Sequence, residues 1–223
     1  MFWSGTSNSL SFPKTPRPVK PRRIGEYILK YYAPCTHPVG FHFDLFDEYI
    51  HKPVIRSEIR NARISDEGHY TVYLPAFGDE QLYKVLSKIP EVIWQVFTKH
   101  SKEAYKRDNV HFFPVSNTGF INSFVRCTGI FTSSGFETPA EAIFMGKKVL
   151  TIPIRNQYEQ YCNAAALSAI GITVLKEVNN KSVPLIQEWV KNGKAINIQY
   201  PDLTAEIIQK EIFDKVEFVP QNN

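Results

Sequence analysis

The chain has 223 residues, carries a formal net charge of +4 and is 43% hydrophobic. This length suits one large domain or a domain and a half. No apolar run approaches the ~18 residues of a membrane span, and no apolar core of a secretory signal follows residues 1–5. The mild positive charge is too weak to indicate nucleic-acid binding, although it is compatible with an anionic ligand or membrane surface. Cys35, Cys127 and Cys162 form neither a disulfide framework nor a zinc spacing, which favours a reducing cytoplasmic setting.

The N-terminal third divides into two segments by composition. Residues 1–23 are rich in Ser, Thr, Pro and basic side chains, and such a composition predicts a flexible linker or loop. Contact of these basic residues with an anionic surface is the alternative. Residues 24–66 are predicted to be the remnant of an N-terminal domain and a linker, with a short helix over 24–32 and extended chain over 53–56.

Residues 67–223 alternate short apolar runs with helical patterns, which predicts βαβ units and a parallel sheet. The predicted strands cover residues 70–75, 92–97, 110–114, 129–132, 148–153 and 172–175. The predicted helices cover residues 79–87, 119–126, 139–145, 158–170 and 182–193, and a last apolar stripe at helical spacing runs over 203–213.

The turn at residues 133–141 carries two signals. Thr138-Pro139-Ala140-Glu141 matches a capping box, in which the Thr138 side chain caps the helix and the Glu141 carboxylate reaches back to the Thr138 N–H. Ser133-Ser134-Gly135 lies directly before it, and glycine with small hydroxyl residues at a helix N-terminus lets backbone N–H groups approach a phosphate. Both readings of the turn stay open, because a cap and a phosphate site can coexist.

The next strand-to-helix turn carries Glu159, Gln160 and Asn163. A carboxylate in a first helical turn is ordinary dipole compensation, and a neighbouring glutamine is often only solvated. A carboxylate beside an amide also suits recognition of paired hydroxyls such as those of a sugar ring. Because both turns follow strands of one parallel sheet, we expect them at the same edge, where α/β proteins bind ligands.

Together these motifs resemble a known family. Gly135-x-x-Thr138-x-x-Glu141-Ala142, then Gly146-Lys147-Lys148-x-Leu150-x-x-Pro153, then Glu159-Gln160-x-x-Asn163-Ala164 are similar to the donor-binding domain of GT-B glycosyltransferases. The similarity is greatest to the group of the peptidoglycan N-acetylglucosaminyltransferase and the UDP-glycosyltransferases, and it covers roughly residues 70–175. It implies an α/β fold, a Rossmann-like three-layer domain with a parallel sheet that forms one half of GT-B, behind a partial N-terminal segment.

The resemblance also implies roles for particular residues. Ser134, Gly135 and Thr138 would form the phosphate-binding turn, Glu141 would bind the ribose hydroxyls, and Glu159 with Gln160 would contact the transferred sugar. Asn163 belongs to the same sugar-side motif. Gly78 is a further candidate for the pyrophosphate, and the turn of residues 115–120, including Phe120, corresponds to the region that reads uracil, with apparent extra residues. Ser133 and Ser134 stand where many relatives carry His or Arg, so the phosphate is held more weakly or with help from another group.

The expected reaction is transfer of a hexosyl or N-acetylhexosaminyl group from a UDP-sugar to a hydroxyl acceptor, either lipid-linked or of another kind. The resemblance places the acceptor site and catalytic base in an N-terminal domain for which residues 1–68 leave no room. The chain is therefore expected to be the donor half, as a fragment or a natural subunit, completed in cis or by a partner subunit. Alternatives are a non-catalytic nucleotide-sugar-binding module and an epimerase-like protein. The six histidines have no ligand spacing, so we expect no metal and no cofactor besides the sugar nucleotide.

Overall fold

A computed structural model of the chain describes residues 2–5, 9–10, 12–19, 25–27, 31 and 37–214. The chain forms two compact units. The smaller unit comprises residues 1–15, 22–54 and 200–223, and the larger comprises residues 16–21 and 55–199. Within the described residues, no helix is long and apolar enough to cross a bilayer.

The smaller unit contains three parallel strands in the order β1-β2-β3. They are β1 (Phe2–Gly5), β2 (His37–Phe41) and β3 (Ile50–His51). A helix at Thr204–Ile208 continues as a π-helix over Gln209–Phe213. The Tyr200 hydroxyl donates to the Phe43 carbonyl oxygen at 2.8 Å, and both side chains are buried.

The N-terminal predictions meet the structure only in part. Residues 1–23 were predicted to be a linker or loop, but Phe2–Gly5 form strand β1. Leu10 and Thr15 of the same segment are buried. Burial of Leu10 contributes an apolar stabilisation that composition alone does not reveal. Of the helix predicted over 24–32, residues 25–27 and 31 are helical and the others lie outside the described residues.

The larger unit follows the predicted alternation of strands and helices. Its strands are β4 (His69–Tyr73), β5 (Ile93–Thr98), β6 (Tyr105–Arg107), β7 (Val110–Pro114), β8 (Gly129–Ser133), β9 (Lys148–Ile152) and β10 (Thr173–Val174). Its helices are α1 (Ser57–Arg60), α2 (Asp79–Leu86), α3 (Asn117–Arg126), α4 (Glu137–Phe144), α5 (Tyr158–Ala169) and α6 (Val183–Asn192), the last preceded by a 3₁₀ turn at Asn180–Ser182.

The strand order of the large sheet is β10-β9-β8-β4-β5-β7-β6. All neighbours are parallel except β6, which pairs antiparallel with β7. The chain moves outward from β4 through β5 to β7, then returns to the other side of β4 with β8. The order therefore reverses between β4 and β8, and a crevice opens there at the carboxyl ends of the strands. The predicted Rossmann-like α/β fold is confirmed.

Side chains of β4 alternate between two helical layers. Tyr70 and Val72 belong to one core with α2 and α6, in which Trp94 and Trp189 are also buried. Thr71, between Tyr70 and Val72, points to the other face, where its hydroxyl lies 2.7 Å from the Ser123 hydroxyl of α3. Because helices cover both faces, the strands read as continuous apolar runs in the sequence.

Strand β6 is an element of the large sheet that the sequence did not predict. It forms a hairpin with β7 through Asp108, whose φ is 52°, and the Tyr105 ring stacks on Phe112 with 4.7 Å between centroids. The run Tyr105-Lys106-Arg107 is short and charged, and it lies at a sheet edge where only one face needs apolar side chains. Its strand conformation therefore depends on pairing with β7.

Candidate functional site

The crevice at the strand-order reversal is bordered by two strand-to-helix turns. The turn after β4 leads through Phe77 and Gly78 into α2, and the turn after β8 leads through Ser134 and Gly135 into α4. Because β4 and β8 are adjacent and parallel, with Tyr73 opposite Thr132, both turns leave the same edge of the sheet. The structure thus brings the predicted pyrophosphate candidates Gly78, Ser134 and Gly135 to one crevice.

Both glycines at this crevice face open space. A Cβ at Gly78 would meet no atom within 4 Å, and a Cβ at Gly135 would meet only the Ser133 hydroxyl at 3.8 Å. Neither has the positive φ that would itself require glycine. The residue type is therefore not explained by packing or by backbone conformation within the chain. Open space beside a helix N-terminus permits close approach of a ligand to the backbone.

Ser134 lies at this crevice with its side chain turned into the protein. Its side chain is fully buried, and its backbone N–H donates to the Ile152 carbonyl oxygen at 3.0 Å. This N–H is therefore not available to a phosphate. The Ser134 hydroxyl has no hydrogen-bond partner among the described residues. The Gly135 N–H donates to no backbone carbonyl in the described ranges, so it can donate to a ligand.

The capping box predicted at Thr138 does not form. Helix α4 begins at Glu137, two residues before the predicted start at Pro139. Its N-cap is Phe136, which makes no side-chain hydrogen bond to the helix. Thr138 therefore lies in the first turn, and its hydroxyl has no partner in the described part of the chain. Glu141 does not reach back to Thr138, because its carboxylate is held elsewhere.

Arg56 holds the Glu141 carboxylate through two hydrogen bonds. Its Nε donates to Oε1 at 2.6 Å and its Nη2 donates to Oε2 at 2.8 Å. The Glu141 side chain is only 2% exposed, and that of Arg56 is 37% exposed. This hydrogen bond raises the pKa of Arg56 above its usual value, against the opposing effect of burial. Sequence reasoning missed Arg56, and no local signal connects it with α4.

The sugar-side candidates all lie on α5. Glu159 is half-buried in the first turn, and Asn163 is buried one turn later, with its side-chain Nδ2 unpartnered within the part of the chain that is described. Gln160 accepts from the Ile154 N–H at 2.9 Å and donates to Gln157 at 2.9 Å. Gln160 therefore braces the turn between β9 and α5.

Phe120 lies in an aromatic cluster on α3. Its ring centroid is 5.5 Å from that of Tyr73 at the end of β4 and 5.6 Å from that of Phe97. Only Val115 and Ser116 separate β7 from α3. Asn117 and the residues after it form the first turn of α3, which the Ser116 hydroxyl caps.

Next to α5 lies a groove of about 1020 Å³, at the carboxyl ends of β9 and β10. Phe77, Pro153 and Tyr161 contribute to its wall, together with the cationic side chains of Arg155 and Lys176. Arg155 and Lys176 were not among the predicted site residues, and only the position of Arg155 after a predicted strand could have suggested it. Among the described residues, no group of three or more His, Cys, Asp or Glu side chains could hold a metal ion.

The family model for glycosyl transferase family 1 matches residues 45–192. The chain belongs to this glycosyltransferase family. The match includes the turns at Gly78, at Gly135 and at Glu159, so the residues of the crevice lie inside the family region. The resemblance to GT-B glycosyltransferases is thereby confirmed, whereas the roles of single residues stay predictions.

Solved structures are similar to this family member in fold. UGT89C1 of Arabidopsis thaliana, complexed with UDP, is 14% identical, with 84% of this chain and 57% of that chain covered and a TM-score of 0.53. SnogD of Streptomyces nogalater is 13% identical over 64% of this chain and 43% of that chain, with a TM-score of 0.40. ALG13 is 7% identical over 66% of this chain and 96% of that chain, with a TM-score of 0.45.

The chain spans only 43% of SnogD and 57% of UGT89C1. No curated protein matches it significantly in sequence.

Proposed function

We propose that this chain is the donor-binding half of a glycosyltransferase and binds a UDP-type sugar nucleotide in the crevice between β4 and β8. The observation that carries the proposal is the open space over Gly78 and Gly135 at the point where the strand order reverses. Family membership supports glycosyl transfer, and the UDP in the UGT89C1 complex supports a nucleotide ligand.

The diphosphate would lie at the N-terminus of α4. The first N–H groups of a helix have no intrahelical acceptors, and the helix dipole favours negative charge there. The Gly135 N–H and the Thr138 hydroxyl have no partner within the described residues, so both can donate to phosphate oxygens. These donors would also stabilise the negative charge on the leaving nucleotide during transfer.

The sugar and the ribose would contact the neighbouring acidic side chains. Glu159 supplies a carboxylate at the start of α5 for sugar hydroxyls, and Glu141 supplies one for the ribose hydroxyls. The transferred group would be a hexosyl or N-acetylhexosaminyl group, and the acceptor a hydroxyl compound. We place the acceptor site and catalytic base outside this chain, in another domain or a partner subunit.

Calorimetric titration of the full chain with UDP, UDP-GlcNAc and ADP tests the proposal. UDP and UDP-GlcNAc should bind to the unaltered chain. Gly135→Val fills the crevice and should weaken the affinity for both by tenfold or more, and Gly135→Ala should give an intermediate affinity. The fold should tolerate both changes because a Cβ meets no close neighbour there.

Ser65→Val serves as the control, because it adds a similar branch at an exposed position before β4, at the opposite edge of the sheet. It should leave binding unchanged. Absence of nucleotide binding by the unaltered chain, or equal loss of affinity in Ser65→Val, would refute the proposed site. Sugar transfer by this chain alone would contradict the placement of the catalytic base elsewhere.

A further inference from the structure

The Glu141 carboxylate is buried and is paired with the more exposed Arg56. Both carboxylate oxygens accept hydrogen bonds from the guanidinium, at 2.6 and 2.8 Å. The Glu141 side chain is 2% exposed, whereas the Arg56 side chain is 37% exposed. No other side chain donates to this carboxylate among the residues described. A ligand that binds the Glu141 carboxylate must therefore displace the Arg56 guanidinium.

The guanidinium offers Glu141 the same kind of contact that a ribose offers. Two parallel N–H donors of an arginine form a fork that matches the two oxygens of a carboxylate. The vicinal hydroxyls of a ribose also present two adjacent donors. Since Arg56 already occupies both oxygens and covers them, a ribose can reach Glu141 only when the guanidinium moves away.

A second acceptor for the displaced guanidinium lies on the same helix. Glu137 precedes Glu141 by four residues, so the two side chains lie on one face of α4. The Glu137 charge acts on Arg56, as does that of Glu58 in α1. Glu137 is exposed at the first turn of α4. Arg56 can therefore leave Glu141 and remain next to a carboxylate.

We propose that Arg56 is a specificity-determining residue that competes with the nucleotide ribose for Glu141. The proposal rests on the donor site proposed above. In the unaltered chain, the hydrogen bonds between ribose and Glu141 replace those from Arg56, so the ribose hydroxyls add little net affinity. Without Arg56, the buried carboxylate has no donors, and the ribose hydroxyls supply them. Arg56 thus weakens discrimination between ligands that carry the hydroxyls and ligands that lack them.

The test compares UDP with 2′,3′-dideoxy-UDP by calorimetry on the full chain. In the unaltered protein, the two dissociation constants should agree within about threefold. In Arg56→Met, dideoxy-UDP should bind about tenfold or more weakly than UDP, which is the effect of one hydrogen bond to a charged group. Arg56→Lys keeps the charge without the fork and should give an intermediate ratio.

Arg56→Met leaves a buried charge unpaired, which can prevent folding. Two further variants keep the test decisive. Arg56→Met with Glu141→Gln removes the unpaired charge and should restore a ratio near that of the unaltered chain. In Arg56→Lys, the ratio of the dissociation constant of dideoxy-UDP to that of UDP must by itself exceed the ratio in the unaltered chain. Circular dichroism confirms the fold of each variant before titration.

Two results would overturn the competition. One is a tenfold preference for UDP already in the unaltered chain, and the other is an unchanged ratio in folded Arg56→Met or Arg56→Lys. In either case UDP still binds and the donor site stands. Failure of the unaltered chain to bind both ligands would instead overturn the donor site itself, and with it this inference.

Discussion

Replacement of Gln160 by alanine tests whether this side chain has a structural role before any contact with a sugar. Its amide oxygen accepts from the Ile154 N–H at 2.9 Å, in a half-buried position, and its amide nitrogen donates to Gln157 at 2.9 Å, in an exposed one. A partly buried N–H left without an acceptor costs about 1–1.5 kcal/mol, and loss of an exposed side-chain hydrogen bond about 0.5 kcal/mol. The expected loss of unfolding free energy is therefore about 2 kcal/mol.

Urea unfolding followed by circular dichroism measures this loss. With a denaturant dependence of about 2 kcal/mol per molar, the midpoint should fall by about 1 M. Gln157→Ala removes only the exposed bond and should cost at most about 0.5 kcal/mol. Gln160→Glu keeps an acceptor for Ile154 and should lie closer to the unaltered chain. If Gln160→Ala costs no more than Gln157→Ala, the bracing role is wrong and only the predicted sugar contact remains.

Two further predictions concern helix caps and acid stability. Ser116→Ala should lower the unfolding free energy by about 1 kcal/mol, because the Ser116 hydroxyl accepts from the Gly119 N–H, whereas Thr138→Ala should cost less than about 0.5 kcal/mol in the same urea assay. Burial lowers the pKa of His69 below 6.5, partly opposed by its contact with Ser123. As the pH falls below 6.5, His69 therefore binds a proton in the unfolded chain before it does so in the folded chain. The free energy of unfolding decreases until the pH reaches the pKa of His69 in the folded chain. His69→Gln should flatten this loss between pH 7.5 and 5, and an unchanged slope would contradict the reasoning.

The parallel sheet could be predicted because its information is local. Strands buried on both faces, such as β4 and β8, need continuous apolar runs, and the helices between them need apolar residues at helical spacing. The turns at Gly135 and Glu159 could be assigned to one edge, since the carboxyl ends of parallel strands share an edge. The family match over residues 45–192 includes both turns.

Only the tertiary structure decided what each site residue contacts. The match to a capping box predicted Thr138 as the cap of α4, but Arg56, 85 residues before Glu141, takes the carboxylate instead. A charge-assisted pair of hydrogen bonds to a buried carboxylate outweighs a single local cap. The partner is set by the tertiary fold, which also places Arg60 of α1 over the Phe144 ring of α4. The open crevice at Gly78 and Gly135 likewise depends on β8 returning beside β4, which no local pattern specifies. The sequence alone determined which turns are candidates for a ligand site, and the fold determined which of their groups already have partners within the chain.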